Sequence, residues 1–447
     1  MRYDRLLMNR RQFLSTLAAA PLAAADPKPN IVLLFGDDLG RTDIGCYGGQ
    51  EIPTPHIDSI ARHGVRFTDG YVSCPYCSPT RAGLMTGRYQ THFGHEFNPG
   101  PAGQSADTFG LPLTETAMPK RMKDLGYRTG MFGKWHLGYR EPYRPLKRGF
   151  DEFYGFLGGA HSYLNAKADP ANPIYDGDQP VESVEYTTDE FARRAVRFID
   201  ANKDRPFFLY VPFNAVHGPM ESLKKYEDRF SSITDPRRRT YAAMLSALDD
   251  NVGLVLNALE RHKLTNNTLV VFLTDNGGPT QGNTSRNDPL RGVKAQVYEG
   301  GFRIPFLMQW PGHVPKGKVY SNPVIALDLL PTFVAAAGGK PDASWKLDGV
   351  NLLPFVHGKD KGKPHERLFW RFGQQWAMRE GDWKLVSTGG PPELFNLKSD
   401  ISESNDLSNA EKARVQSMSA AWEAWNKNNL PPLWIPQRAG QKKRKKA

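Results

Sequence analysis

The chain is 447 residues long, 39% hydrophobic and 23% charged, enough to bury a large core and to hold two or three domains. Its net charge of +11 is concentrated at the ends: residues 1–25 hold +3, Lys442–Lys446 hold +5, and +3 is left for the body. That distribution excludes nucleic acid as the leading partner, and a total of three cysteines excludes a disulfide scaffold.

In chain order, "MNRRQFLSTLAAAPLAAAD" comes first. Positive residues precede an apolar stretch too short to span a bilayer, and Ala23–Ala25 offer small residues for cleavage. Residues 1–25 read as an export signal, and Arg10–Arg11 before Phe13–Leu14 give it a twin-arginine character, so the expected destination is periplasmic or extracellular. No other run is long and apolar enough for a transmembrane helix.

Four short apolar runs then share one pattern. "NIVLLFG" ends at Asp37–Asp38, and "TGMFG" runs into Lys134, Trp135 and His136. "PFFLYVPF" is followed by Asn214 and His217, and "TLVVFLT" ends at Asp275–Asn276. Nearly continuous apolar runs fit strands buried on both faces. Helical spacing at 188–202 and 241–262 lies between them, so the chain reads as α/β with a mostly parallel sheet flanked by helices. In such sheets ligands gather outside the carboxyl ends of the strands, which is where these polar residues fall.

Asp37, Asp38, Asp275 and Asn276 would together form a hard oxygen set suited to Ca2+ or Mg2+ and poorly suited to zinc. Taken singly, each pair fits a helix cap or a turn equally well. Arg81, Lys134, His136, His217 and Lys294 are a cationic set able to hold a small oxyanion. "CPYCSPTRAGLMTGR" places Cys77 where Pro79 starts a helix, with Arg81 one turn further on the same side. A helix amino terminus favours an anion, so these residues alone allow either a low-pKa Cys77 thiolate or a buried structural cysteine.

"CSPTRAGLMTGR" resembles the C-x-P-x-R signature of the type I sulfatases, in the alkaline-phosphatase superfamily, and "GKWHLG" at 133–138 is similar to that family's second signature. "PNIVLLFGDDLG", "TDNGG" and "LRGVKAQVYEGGFRIP" also resemble family segments, in the family's order from about Pro29 to about Leu407. The resemblance implies an alkaline-phosphatase-like catalytic domain over 26–360. It further implies a smaller C-terminal α+β subdomain over 361–430, with an antiparallel sheet and a helix near 409–427. A basic tail at 431–447 would follow.

The resemblance also implies roles. Asp37, Asp38, Asp275 and Asn276 would hold a divalent cation, most often Ca2+ in the family with Mg2+ as the alternative, which residue 77 would also contact. Cys77 would be converted to Cα-formylglycine by a transient partner, the formylglycine-generating enzyme. Arg81 and Lys134 would orient the hydrated aldehyde; Lys294 and His217 would bind sulfate, with His217 protonating the leaving oxygen; His136 would accept a proton from the second hydroxyl. The implied activity is that of a sulfuric ester hydrolase on sulfated glycans and aryl sulfates. A phosphate or phosphonate ester hydrolase and a non-catalytic binder of sulfated glycans stand as alternatives.

Loops at 95–112, 161–180 and 281–291 are expected to shape the pocket. His95, Glu96, Asn98, His161, Tyr163 and Arg286 are the candidates for sugar contact. Cys46 and Cys74 are able to pair, although nothing in the sequence indicates that they do.

Overall fold

A computed structural model of the chain describes residues 28–102 and 108–435. The expected export signal at 1–25 and the run Lys442–Lys446 lie outside the described residues, as do residues 103–107 of the 95–112 loop.

Each of the four apolar runs is a strand: Asn30–Gly36, Arg128–Lys134, Phe207–Pro212 and Thr268–Thr274. They lie side by side and parallel within a ten-stranded sheet, with Asn30–Gly36 between Thr268–Thr274 and Phe207–Pro212, and Arg128–Lys134 beyond the latter. Ile31 lies in register with Phe208 on one side and Leu269 on the other. Successive side chains enter opposite cores: Ile31, Leu33 and Phe35 join one, while Val32 and Leu34 join the other. Both faces are covered, which is why the sequence shows no alternation. Each such buried side chain contributes about 1.5–3 kcal/mol of burial free energy.

Thr187–Asn202 and Pro236–Arg261 cover the Val32–Leu34 face. The second helix begins five residues ahead of the apolar pattern at 241. Asp235 caps it by accepting from the Arg237 amide at 2.9 Å, and Pro236 occupies the first turn. The charged turn Arg237–Arg239 is kept helical by tertiary pairing, since Arg238 meets Asp43 and Glu51, each at 2.7 Å. On the opposite face, the buried helix Cys77–Thr86 contributes Ala82, Leu84 and Met85 to the core.

The C-terminal sheet is antiparallel, with strands Arg367–Phe372, Gln375–Glu380, Trp383–Ser387 and Glu393–Asn396. "WAMREGDWKLV" folds as two strands because Gly381, at φ 58°, turns the chain. Helix Lys412–Asn426 adds Met418 to a small core with Met378, Leu385 and Leu394. This sheet is joined to the main body by Trp370, whose ring stacks on Phe302 at 4.3 Å and whose Nε1 donates to the Val72 carbonyl at 2.7 Å. All three cysteines are free, so the allowed Cys46–Cys74 pairing is not made.

Candidate active site

The parallel register brings the four strand ends to one edge of the sheet. Asp37 and Asp38 leave the first strand, Asp275 and Asn276 leave the Thr268–Thr274 strand, and Lys134 closes its own strand two residues before His136. His217 follows the Phe207–Pro212 strand. Asp38 and His136 have φ of 58° and 60°, a left-handed conformation that non-glycine residues adopt at a cost of about 1–3 kcal/mol. The surroundings hold both. Asn283 Nδ2 donates to the carbonyls of Asp38 and Val216, at 3.0 and 3.2 Å, while Ser78 Oγ donates to the His136 carbonyl at 2.6 Å. Gly159 lines the same cleft, and a Cβ there would fall 2.6 Å from the His136 ring.

The helix Cys77–Thr86 aims its first residue into this cluster. Cys77 Sγ lies 3.9 Å from Asp37 Oδ1, and one ligand atom from each of Asp37, Asp38, Cys77 and His217 lies within 4.8 Å of the others. Asn276 donates its amide nitrogen to Asp38 Oδ1 at 2.8 Å, which leaves its Oδ1 buried with no protein partner. Three carboxylates and a spare amide oxygen fit a hard divalent cation such as Ca2+ or Mg2+.

The cations interleave with these anions. Lys134 Nζ is 2.5 Å from Asp37, Lys294 Nζ is 2.6 Å from Asp38, and Arg81 reaches Asp275 at 2.9 Å and Asp37 at 3.7 Å. Arg81 also donates to the Lys134 carbonyl at 3.1 Å, which ties the helix to the neighbouring strand end. All nine candidate residues, from Asp37 to Lys294, therefore meet around Cys77.

Burial sets the protonation states. It pushes Asp37 up to about 8, helped by Asp275 and opposed by Lys134 and Arg81. Burial also works to raise Asp275, but Arg81 and Lys134 overcome it and hold that carboxyl below the ordinary range. Asp38 behaves likewise under Lys294 and His217. Burial lowers His217 to about 4 against the pull of Asp38, and lowers His136 well below the ordinary imidazole range, with Lys134 and Arg81 adding repulsion. The Cys77 thiol is pushed up to about 12 by burial, in spite of Lys134 and Lys294. Of the two readings open for Cys77, the surroundings favour the buried cysteine over the low-pKa thiolate, because desolvation outweighs the nearby cations.

The sugar-contact candidates divide. Asn98 lines the cleft, about 340 Å³ in volume, with Tyr76, His136, His217 and Lys294, and its Oδ1 accepts from the Ser78 amide at 3.0 Å. Tyr163, His95, His161 and Glu96 are turned to internal work, and Arg286 lies elsewhere on the surface. Tyr163 is fully buried, its hydroxyl 2.6 and 2.7 Å from the carbonyls of Asn214 and His217, so it positions the His217 segment. His95 is buried with Nε2 on Ser78 Oγ at 2.7 Å, and His161 is buried against Phe156. Glu96 accepts from Arg371 at 2.7 Å. Arg286 pairs with Glu51 and lines a separate cavity of about 750 Å³ with Arg229 and Arg238. Ser78 and Asn283 were not singled out in the sequence; Ser78 stands inside the motif, and that placement was the available signal.

Residues 29–339 match the family model "Sulfatase", and residues 293–422 match "N-sulphoglucosamine sulphohydrolase, C-terminal". The chain belongs to the sulfatase family. It is an enzyme of the sulfuric ester hydrolase class, consistent with the geometry around Cys77. This sulfatase is 38% identical to human (Homo sapiens) arylsulfatase A over 455 residues, covering 89% of this chain and 86% of the relative. It is 33% identical to human N-acetylgalactosamine-6-sulfatase over 400 residues, covering 80% and 75%. The solved structure of Ps i-CgsB in complex with k-i-k-neocarrahexaose superposes with a TM-score of 0.87 at 38% identity, covering 92% of this sulfatase and 95% of that chain. Among the described residues no helix is long and apolar enough to cross a membrane.

Proposed function

We propose that this sulfatase cleaves sulfate monoesters on carbohydrates using residue 77 as Cα-formylglycine, beside a divalent cation, Ca2+ or Mg2+, held by Asp37, Asp38, Asp275 and Asn276. The observation that carries the reading is the convergence of three buried carboxylates with buried Arg81 and Lys134 and partly buried Lys294 around Cys77, the first residue of the C-x-P-x-R helix. Hydrated formylglycine supplies two hydroxyls, one to attack sulfur and one whose deprotonation expels sulfate and restores the aldehyde; the cation, when bound, supplies positive charge beside that centre.

The chain's own residues do the rest. Arg81 and Lys134 orient residue 77 and balance its charge. Lys294 and His217 face the sulfate oxygens from the open side of the cleft. His136 is held neutral by burial and by Lys134, the state required of a proton acceptor, and its Nδ1 is buried with no protein partner. His217 protonates the leaving oxygen, and the negative sulfate ester is what draws a proton to a ring that burial otherwise holds at about 4.

The folded protein exposes only 1% of Cys77, so the formylglycine-generating enzyme must act on an unfolded chain. Cytoplasmic modification, folding and then export by the twin-arginine-like segment is the order that satisfies this. The catalytic unit is assigned to 26–360 and the C-terminal subdomain to 361–430. The carbohydrate substrate is inferred from the oligosaccharide and amino-sugar relatives.

Cys77→Ala is expected to abolish hydrolysis of nitrophenyl sulfate while the protein stays folded. Wild-type enzyme should prefer nitrophenyl sulfate to the matched phosphate. Near-normal turnover by the variant, or preference for phosphate, would overturn the reading.

A further inference from the structure

Beside the sulfate cradle stand three half-buried aromatic rings. Tyr76, one residue before Cys77, lines the cleft with Asn98, His136 and Lys294. Its ring centre lies 5.2 Å from that of Phe372, which in turn lies 5.3 Å from Phe97. The rings come from three separate places: the loop before the catalytic helix, the loop leading to Asn98, and the tip of the first hairpin in the C-terminal sheet. All three keep part of their surface in solvent.

The wall is anchored on every side. Glu96 accepts from Arg371 at 2.7 Å and from the Gly373 amide at 2.8 Å, joining the Phe97 loop to the hairpin tip. The next residues follow suit: Phe97 packs on Phe372, and Asn98 holds the first turn of the catalytic helix through the Ser78 amide. Gln375 donates to the Ala295 carbonyl at 3.0 Å, one residue from Lys294, and Lys294 Nζ sits 5.4 Å from the centre of the Tyr76 ring. A rigid, partly exposed aromatic surface continuous with a charged cleft matches a ligand with an anionic group at one end and an apolar face next to it. A pyranose ring presents such a face through its axial C–H bonds, and flat aromatic rings stack on it at low entropic cost.

We propose that Tyr76, Phe372 and Phe97 form a subsite for the sugar ring that adjoins the sulfated residue of an oligosaccharide. The inference rests on the sulfated-carbohydrate reading above and deepens it. Exposed Gln374 at the hairpin tip offers an amide to that ring's hydroxyls. Binding energy gathered there lies remote from sulfur, so it reaches the rate only when the substrate is long enough to collect it.

The test compares kcat/KM for nitrophenyl sulfate with kcat/KM for the best-cleaved member of a panel of sulfated oligosaccharides, including neocarrahexaoses and glycosaminoglycan fragments. In Phe372→Ala the ratio of oligosaccharide to nitrophenyl sulfate should fall about tenfold, and Phe372→Trp should restore it, since remote contacts serve only the longer substrate. Equal losses on both substrates would mean that Phe372 only supports the fold, and would overturn the subsite, as would no loss on either. If the unsubstituted enzyme cleaves nitrophenyl sulfate but no oligosaccharide, the carbohydrate reading itself fails, and the subsite with it.

Discussion

At residue 77 the surroundings work against a thiolate. Burial raises the thiol to about 12, and the lysines beside it are already committed to Asp37 and Asp38. The proposed formylglycine would put an oxygen nucleophile at that position in place of the thiol. His217 is the other residue whose environment makes a prediction. Its Nδ1 lies 2.6 Å from the carbonyl of the next residue, Gly218, so Nδ1–H donates there and Nε2 is the atom turned to Asp38, at 3.5 Å. A proton donor matters most when the leaving group is a poor one. His217→Ala should therefore slow a sugar sulfate far more than nitrophenyl sulfate, by about 10²–10³ against about tenfold or less, in the range general acids contribute. Equal losses would make His217 a sulfate-binding residue only.

At the scale of elements, the four central strands were legible because burial on both faces leaves an unbroken apolar signature, with polar residues gathered at one end of each. The cluster residues Asp37, Asp38, Lys134, His136, His217, Asp275 and Asn276 could be read for the same reason, since topology places strand ends together, whereas Arg81 and Lys294 follow no strand. Loop side chains were not legible in this way. Glu96 and Tyr163 look like surface residues in sequence, but the partner of Glu96 lies 275 positions away and that of Tyr163 lies 51 to 54 away. No local pattern announces such pairings. The segment leading to the C-terminal sheet is tied down in the same long-range manner. His365 Nε2 lies 2.8 Å from Asp328 Oδ1, and Asp328 also accepts from the amides of Ile325 and Val350. Burial works to lower His365, but Asp328 more than compensates and its pKa rises above the ordinary 6.5. A raised folded value means that the stabilisation is full below pH 6.5 and is lost as pH climbs through that folded value. His365→Gln should thus cost about 1–3 kcal/mol in denaturant unfolding at pH 6 and progressively less at higher pH. A cost that stays constant or grows with pH would contradict the ion pair.

Across the whole molecule, the two sheets are joined by charge as well as by Trp370. Lys384 from the C-terminal sheet is fully buried, with Nζ 3.0 Å from Glu299 and 2.6 Å from Glu403. Burial drives Glu403 up to about 7, while Lys384 and Arg303 overcome burial at Glu299 and keep it at about 2. Removing the shared cation leaves buried Glu403 without an ion-pair partner and Glu299 with Arg303 alone, so Lys384→Met should destabilise the fold by about 3–5 kcal/mol. A change below about 1 kcal/mol would mean that solvent or another cation satisfies them. Glu299 follows Lys294 by five residues, and Trp370 precedes Phe372 by two, so the same joint that stabilises the two sheets also sets the cleft wall against the sulfate cradle. The C-terminal sheet was visible in sequence as strands, but its contribution to the cleft was not, because a hairpin tip carries no sign of what it will face.

The proposed chemistry turns on the chemical identity of residue 77. The measurement is mass spectrometry of the tryptic peptide Phe67–Arg81, alkylated after isolation of the protein from its native host. An aldehyde at residue 77, with alkylation at Cys74 alone, is the predicted result. Two alkylated cysteines in fully active enzyme would contradict the account, because an unmodified thiol in this buried setting has neither the acidity nor the second hydroxyl that the chemistry requires.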